Sequence, residues 1–356
     1  MPVITKTEKI YEKLKQRIET SPPGMRMPSV RETMAQFKVS QVTVERALAM
    51  LAREGLIARE SSGRRKVAHR EGKGGVSSTR CIGLAFPDYP SRIYEILIRL
   101  LVQKIQGSSG TPRLLRYDWR ERILTRLPRE HFDGLILMPA AVTLTPEDVL
   151  KVQEFGVPTV LFYHVLRGVA VDSVTSDEEG GGAMMANHLI QLGHRRLAVL
   201  VAEPASAITD ERVTGFVKQA RLHGIDKVNV LDCETRLGES SAEKAYAKIR
   251  DTVERGGLDF TGLFAVSDFG ALGAMKALRD LSIGIPEQVS VVGFDGLDES
   301  AFFHPALTTK KANFEDLAQA AMAILDRRLA GDDGGAIQTM ITPSLVVRES
   351  TGRVNL

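Results

Sequence analysis

The sequence predicts an α/β protein in which an N-terminal winged helix-turn-helix domain is followed by a two-lobed domain with parallel sheets. Its charge is uneven, because residues 1–70 hold 15 Lys and Arg against 7 Asp and Glu, whereas the rest holds 32 against 37. Helical spacing of apolar residues fills the basic segment, and short apolar runs alternating with helical patterns fill the remainder. A basic segment beside an acidic one is typical of a polyanion-binding domain, although a merely solvated basic surface has the same composition. We predict domains at 1–69 and 81–356, joined by a Gly- and Ser-rich linker at 70–80.

The basic segment predicts three helices. Apolar residues recur at helical spacing over residues 5–20. Ser29 and Glu32 have the spacing of a capping box, which begins a second helix. Ser40 caps a third helix, and Gly55 supplies the left-handed position that ends it.

The third helix has one apolar side, formed by Val44, Ala47, Leu48 and Leu51, so its opposite side is free to enter a DNA groove. In a helix-turn-helix, the N-terminal residues of this second helix of the motif reach base edges and phosphates. Glutamine can pair with adenine, arginine with guanine or phosphate, and a valine or threonine methyl can touch the thymine methyl. The contacts predicted on this helix are Ser40, Gln41, Val42, Thr43 and Arg46.

A basic hairpin is predicted to follow the third helix. Its strands lie near 56–59 and 66–68, and its turn contains Gly63, Arg64 and Arg65. A basic tip beside a recognition helix suits contact with phosphates or the minor groove, and the alternative is a solvated loop.

Residues 24–67 resemble the DNA-binding domain of the GntR family of bacterial transcription regulators. The resemblance lies in the segments 27–32, 39–44, 46–48 and 53–57. It implies operator contacts by Arg31 and Thr43. The sequence departs from the family at Gln41 and Glu45, where arginine is usual. Together with the residues at the turns, the predicted DNA-binding set is Ser29, Arg31, Ser40, Gln41, Val42, Thr43, Arg46, Gly63, Arg64 and Arg65.

The second segment predicts buried parallel strands, because its apolar runs are continuous and separated by helices. Seven such strands exceed one ordinary sheet, so two α/β lobes are predicted. Ligands bind beyond the carboxyl ends of parallel strands, and a cleft between lobes is a natural small-molecule site. The predicted strands lie near 81–86, 114–115, 134–137, 158–162, 197–201, 262–266 and 290–294.

Polar residues at or near these strand ends are candidate ligand-binding groups. Carboxylates there can accept hydrogen bonds from sugar hydroxyls or nucleoside groups, while an arginine such as Arg212 donates. The alternative for Asp177, Asp268 and Asp295 is that each only caps a helix. The predicted effector-binding residues are Asp88, Tyr89, Tyr163, Asp177, Arg212, Asp268 and Asp295.

Residues 81–350 resemble the effector domain of the LacI family, in the segments 171–177, 188–196, 212–216, 267–274, 289–295 and 305–309. The resemblance implies the periplasmic sugar-binding-protein fold, with chain crossovers between lobes near 175, 296 and 330. It also implies that Arg212, Asp268 and Asp295 bind the effector. Ser267 stands where the family usually has asparagine, and Tyr163 with His164 where an Asp-Arg pair is common.

The two resemblances together imply a transcription regulator, similar in architecture to arabinose-type repressors. We expect a homodimeric repressor of double-stranded operator DNA that responds to a sugar or sugar derivative and works in the cytoplasm without a cofactor, a metal or a membrane. The cysteines Cys81 and Cys233 are too far apart in sequence to signal a metal site.

Two alternatives remain at this point. A nucleotide- or sugar-dependent α/β enzyme could hold phosphate with the glycines at 180–182 or 270–273, although neither run matches a dinucleotide or P-loop motif. A sensor without DNA activity is the other alternative, which the recognition helix and the basic hairpin oppose.

Overall fold

In the computed structural model, the chain divides into two compact units, residues 1–79 and 80–356. Within the part of the chain that the structure describes, no helix is both long and apolar enough to cross a membrane. The described residues are 6–19, 25, 27–53, 56–59, 65–67, 80–118, 120, 132–139, 145, 147–148, 156–164 and 168–354.

The first unit is a three-helix domain with a two-stranded antiparallel sheet. Its helices are α1 (Lys6–Glu19), α2 (Val30–Phe37) and α3 (Gln41–Arg53), and its strands are β1 (Ile57–Arg59) and β2 (Arg65–Val67). The predicted capping box is confirmed, since the Glu32 amide donates to Ser29 Oγ and the Ser29 amide donates to Glu32 Oε2. The predicted apolar side of α3 is buried against α1 and both strands.

The first lobe of the second unit is built on an all-parallel sheet. Its elements are β3 (Cys81–Pro87), α4 (Arg92–Gly107), β4 (Thr111–Tyr117), β5 (Gly134–Leu137), β6 (Thr159–Phe162), β7 (Ser173–Ser176), α9 (Phe314–Leu329) and β13 (Gln338–Ile341). The strand order is β13-β7-β6-β5-β3-β4, and helices α4 and α9 pack on the sheet to form one core.

The elements of the second lobe are α5 (Glu178–Gln191), β8 (Leu197–Val201), α6 (Ala207–Leu222), β9 (Val228–Asp232), α7 (Ser241–Gly256), β10 (Gly262–Ala265), α8 (Asp268–Asp280), β11 (Ser290–Asp295), a 3-10 helix (Asp298–Phe302), β12 (Thr308–Lys311) and β14 (Ser344–Val346). Its sheet has the order β14-β12-β11-β10-β8-β9, in which β14 alone is antiparallel to its described neighbour. Two separate cores lie against this sheet, one including residues of α5 and α6 and one including residues of α7 and α8.

The chain passes between the lobes at residue 177, at 312–313 and at 342–343. Two of the crossovers expected from the sequence, near 296 and 330, are therefore wrong. The chain stays in the second lobe beyond 296 because β12 pairs with β11, and it stays in the first lobe beyond 330 because β13 pairs with β7.

Candidate functional site

A cavity of about 410 Å³ lies between the two lobes. The carboxyl ends of parallel strands from both sheets border it, as expected for a ligand site in this class of fold. Its lining includes Tyr89, Arg92, Tyr94, Met138 and Tyr163 from the first lobe, and Glu203, Ser206, Arg212, Glu239, Ser267, Phe269 and Asp295 from the second.

Arg212 is held in one orientation on α6, where 6 % of its surface is exposed. Its Nε donates to Glu178 Oε2 at 2.7 Å, and one terminal nitrogen donates to the Val266 carbonyl at 2.7 Å. The same terminal nitrogen lies 3.4 Å from Asp295 Oδ1, and the guanidinium stands 4.3 Å from the centre of the Phe294 ring. A guanidinium fixed on several sides is pre-organised to meet a ligand.

Lys310 occupies the other side of Glu178 and is fully buried on β12. Its Nζ donates to Glu178 Oε1 at 3.0 Å and to Ser176 Oγ at 3.2 Å. Burial would raise the pKa of Glu178, but the positive charges of Lys310 and Arg212 outweigh it and lower this pKa to about 2. Glu178 therefore carries a full negative charge between two cations.

Tyr163 completes this buried arrangement from the first lobe. It follows β6 in the left-handed region, with φ of 59°, and its hydroxyl donates to Glu178 Oε1 at 3.3 Å. Burial raises the pKa of Tyr163 well above its usual value, and the charge of Glu178 adds to this effect. We call Tyr163, Glu178, Arg212, Asp295 and Lys310 the junction cluster, because it lies where the chain first passes between the lobes.

Two neighbouring carboxyl groups, those of Asp295 and Asp268, have different surroundings. Asp295 lines the cavity, its Oδ2 accepts from the Asp268 amide at 3.1 Å, and burial raises its pKa well above the usual value despite the opposing charge of Arg212. Asp268 is fully buried, and it accepts from Thr309 Oγ1 at 2.6 Å and from the Leu297 amide at 2.9 Å. Asp268 thus stabilises the turn after β11 by these hydrogen bonds and does not face the cavity.

Four of the seven predicted effector-binding residues line the cavity: Tyr89, Tyr163, Arg212 and Asp295. Three do not. Asp88 is an exposed residue outside the lining. Asp177 caps α5 by accepting from the Gly180 amide at 2.7 Å, and Asp268 points into the protein, while the neighbouring Ser267 is the residue that caps α8.

Four residues in or beside the cleft were not predicted from the sequence: Glu203, Glu239, Glu178 and Lys310. Glu203 follows β8 by two residues, so the reasoning that selected polar residues near strand ends could have found it. No local signal marks Lys310, since its two partners lie more than 130 residues earlier in the chain.

The two glycine runs considered as phosphate loops lie inside helices. A Cβ at Gly182 would stand 2.1 Å from the Arg212 carbonyl oxygen, and one at Gly215 would stand 1.9 Å from that of Glu179. A Cβ at Gly273 would likewise lie 2.0 Å from the Ala242 carbonyl oxygen. These glycines allow helix backbones to touch, which gives them a packing role. Among the described residues, no group of three His, Cys, Asp or Glu could hold a metal ion.

The recognition helix α3 presents exposed side chains on its outer side. Gln41, Val42 and Arg46 are exposed, with Val42 57 % exposed, and Ser40 Oγ lies 2.8 Å from Thr43 Oγ1. Exposure leaves these side chains accessible to a groove of DNA.

A groove beside this surface is lined by Arg31, Lys38, Ser40, Thr43 and apolar residues of α2. Both cations are exposed, and Lys38 ends α2 in the left-handed region with φ of 51°. Two cations and two hydroxyls suit contact with phosphate oxygens.

Ser29 uses its Oγ to cap α2. Gly63, Arg64 and the side chain of Arg65 lie outside the described residues, although the Arg65 backbone pairs with Arg59.

Comparison with known proteins finds a matching family model in each of the two units. Residues 6–67 match the model of the bacterial regulatory proteins of the gntR family, and residues 186–351 match the periplasmic binding protein-like domain. A helix-turn-helix transcriptional regulator of Streptomyces limosus is 27 % identical over 92 % of this chain and 95 % of its own length. The helix-turn-helix transcriptional repressor PurR of Haemophilus influenzae is 29 % identical over 64 % of this chain and 67 % of its own length.

Solved structures show the same fold for the second unit. A LacI family transcriptional regulator from Enterococcus faecium with bound ribose has a TM-score of 0.66 at 22 % identity, covering 78 % of this chain and 100 % of that one. The Lac repressor dimer bound to operator has a TM-score of 0.65 at 21 % identity, covering 78 % and 95 %. The predicted fold class is confirmed: the chain joins an N-terminal helix-turn-helix domain, which matches the gntR family model, to a LacI-like periplasmic-binding-protein fold.

Proposed function

We propose that this chain is a DNA-binding transcription regulator, acting as a repressor, whose affinity for its operator is set by a small molecule in the cleft of residues 80–356. The observation that carries the proposal is the presence in one chain of an exposed recognition helix and a pre-organised arginine in a separate cavity. Relatives named as transcriptional regulators and repressors support it. We place the chain in the cytoplasm, where a bacterial regulator meets chromosomal DNA.

The ligand we propose is a carbohydrate or a carbohydrate derivative. Arg212 and Asp295 offer donors and an acceptor to hydroxyl groups, and Tyr89, Tyr94 and Phe269 offer apolar ring faces. Both lining arginines are already in contact with carboxylates, Arg212 with Glu178 and Arg92 with Glu95 and Glu299. The cleft therefore suits a polyhydroxylated ligand without a large negative charge.

The proposed mechanism is a shift in population between two lobe arrangements. A ligand held by residues of both lobes stabilises the arrangement that brings them together, and it can change DNA affinity only by binding one arrangement more tightly than the other. We propose that the regulator is a homodimer, since two recognition helices on half-sites of a palindromic operator bind together. In this proposal the chain performs no catalysis.

The test is binding of the full chain to DNA from around its own gene, with and without pentoses, hexoses, their derivatives and nucleosides. Arg212→Gln should keep specific DNA binding but lose the response to the active compound, because it removes the pre-organised donor. Thermal unfolding of the variant checks that the two lobes stay folded without this buried cation. Arg250→Gln, which alters an exposed arginine of α7 paired with Glu254, is the matched control and should respond like the wild type. A normal response by Arg212→Gln would contradict the site, and absence of sequence-specific binding by the wild type would contradict the function.

A further inference from the structure

The first turn of the recognition helix carries a hydrogen-bonded pair of side chains. Gln41 Nε2 donates to Glu45 Oε1 at 2.8 Å, and both residues are exposed. They are four residues apart, so they lie one above the other on the same side of α3. The pair therefore projects from the helix as a unit.

The hydrogen bond fixes which atoms the pair presents. A carboxylate accepts but does not donate, so the amide nitrogen of Gln41 must be the atom that faces Glu45. Gln41 Oε1 and Glu45 Oε2 make no hydrogen bond to a described residue, which leaves two acceptors for a ligand. One N–H of the Gln41 amide is also left over.

Phosphate is a poor partner for this pair, because a carboxylate repels it. The nearby Arg31 and Lys38, which line the groove between α2 and α3, are better placed by charge to contact the backbone. The cations of α2 and of its C-terminal end thus suit phosphates, whereas the acceptors of α3 suit base edges.

Acceptors in the major groove can bind only the bases that present donors there. Cytosine presents its N4 amino group and adenine its N6 amino group, whereas guanine presents two acceptors and thymine an acceptor and a methyl group. Adenine also presents N7, which suits the leftover N–H of Gln41. A lone carboxylate matches the single amino group of cytosine.

We propose that Glu45, oriented by Gln41, is a base-specificity residue that accepts a hydrogen bond from the N4 amino group of a cytosine in the operator. This inference rests on the proposed DNA binding. It predicts that the operator has a cytosine at the base position that Glu45 faces and an adenine at the position that Gln41 faces.

The experiment selects bound duplexes from a randomised pool with the full chain, comparing wild type, Glu45→Gln, Glu45→Arg and the control Glu12→Arg. Glu12 is an exposed residue of α1, so its replacement makes the same change of charge away from the recognition helix. In the wild type, changing the selected cytosine to guanine should weaken binding about tenfold to a hundredfold. Glu45→Arg should select guanine at that position, Glu45→Gln should accept several bases there, and Glu12→Arg should keep the wild-type preference.

If the wild type and Glu45→Arg selected the same base at the same operator position, the inference would be overturned while the proposed function stayed intact. A shift of preference in Glu12→Arg equal to that in Glu45→Arg would also overturn it, because net charge would then explain the change. Failure of the wild type to enrich any sequence would contradict the proposed function itself. Thermal unfolding of each variant establishes that it is folded.

Discussion

The exposed charged residues of α2 and α3 and the turn between them, which we call the recognition surface, and the junction cluster both gather charged side chains, but in opposite environments. On the recognition surface Arg31, Lys38, Glu45 and Arg46 are all exposed. In the junction cluster every member is less than 9 % exposed, and each makes hydrogen bonds to others of the cluster or to its neighbours.

The difference determines what each charge can do. An exposed charge interacts weakly with its neighbours because water screens it, so it remains available to a partner such as DNA. A buried charge has lost its hydration and depends on its partners in the protein, so removing one partner is costly. The recognition surface is therefore tolerant of substitution in its folding, whereas the junction cluster is not.

The largest expected effect on stability is that of replacing Lys310. Lys310→Met should lower the free energy of unfolding by about 3 to 5 kcal/mol, because it leaves Glu178 buried with one cation instead of two. Adding Glu178→Gln should recover part of the loss by removing the uncompensated charge. The control Lys276→Met breaks an exposed pair with Asp280 and should change the free energy by less than about 1 kcal/mol. Urea unfolding of the full chain followed by circular dichroism measures all three, and equal effects at the two lysines would remove the contrast.

The next largest effect is a dependence on pH that comes from Glu178. Its pKa in the folded protein, about 2, lies below the ordinary value of 4.5, so its stabilising contribution is complete above pH 4.5 and is lost as the pH falls towards 2. The loss amounts to about 3 kcal/mol. Urea midpoints at pH 6, 4 and 3 should therefore fall more steeply in the wild type than in Glu178→Gln, and parallel curves would contradict the assignment.

A smaller effect is expected from removing the hydrogen bond that Thr309 donates to the buried carboxyl group of Asp268. Thr309→Val removes the hydroxyl that donates to Asp268 while keeping the shape of the side chain. The free energy of unfolding should fall by about 1 to 3 kcal/mol, since the acceptor stays buried. Thr252→Val is the control, because that hydroxyl only donates to the Lys248 carbonyl of its own helix. If both valine variants unfolded at the same denaturant concentration, Asp268 would not depend on Thr309.

The smallest effect on stability is expected at Arg31. Arg31→Gln should change the free energy of unfolding by less than about 0.5 kcal/mol because the side chain is exposed. DNA affinity should nevertheless fall and depend less steeply on salt, by about one unit of the logarithmic slope for one lost phosphate contact. Fluorescence anisotropy titrations with DNA at salt concentrations from about 50 to about 200 mM measure this slope. An unchanged slope would exclude a phosphate contact by Arg31.

Local patterns were the part of the fold that the sequence predicted well. The capping box at Ser29 and Glu32 and the buried side of α3 depend on residues within a few positions of each other, and continuous apolar runs identified β3, β5, β6, β8, β10 and β11. Strand β7 was missed because its sequence, Ser-Val-Thr-Ser, has no apolar run, although it is buried between β6 and β13.

The candidate site was predictable only in part, for a related reason. Arg212 and Asp295 stand in recognisable segments, whereas the role of Asp268 is decided by Thr309 and Leu297, which come close to it only in the folded chain. The Thr-Thr-Lys-Lys of β12 has the composition of an exposed strand. Nothing near Lys310 in sequence indicates its burial, which follows from the position of Ser176 and Glu178.

The three passages of the chain between the lobes have a consequence for exchanging parts between proteins of this kind. Each lobe is assembled from separate stretches of sequence, so moving one lobe into another protein would require cutting the chain at several places. The helix-turn-helix domain is different, because all its described elements precede residue 68. A single recombination between residues 68 and 79 would therefore join the helix-turn-helix domain of one protein to the complete two-lobed unit of another, whereas exchanging one lobe alone would need a junction at each passage of the chain.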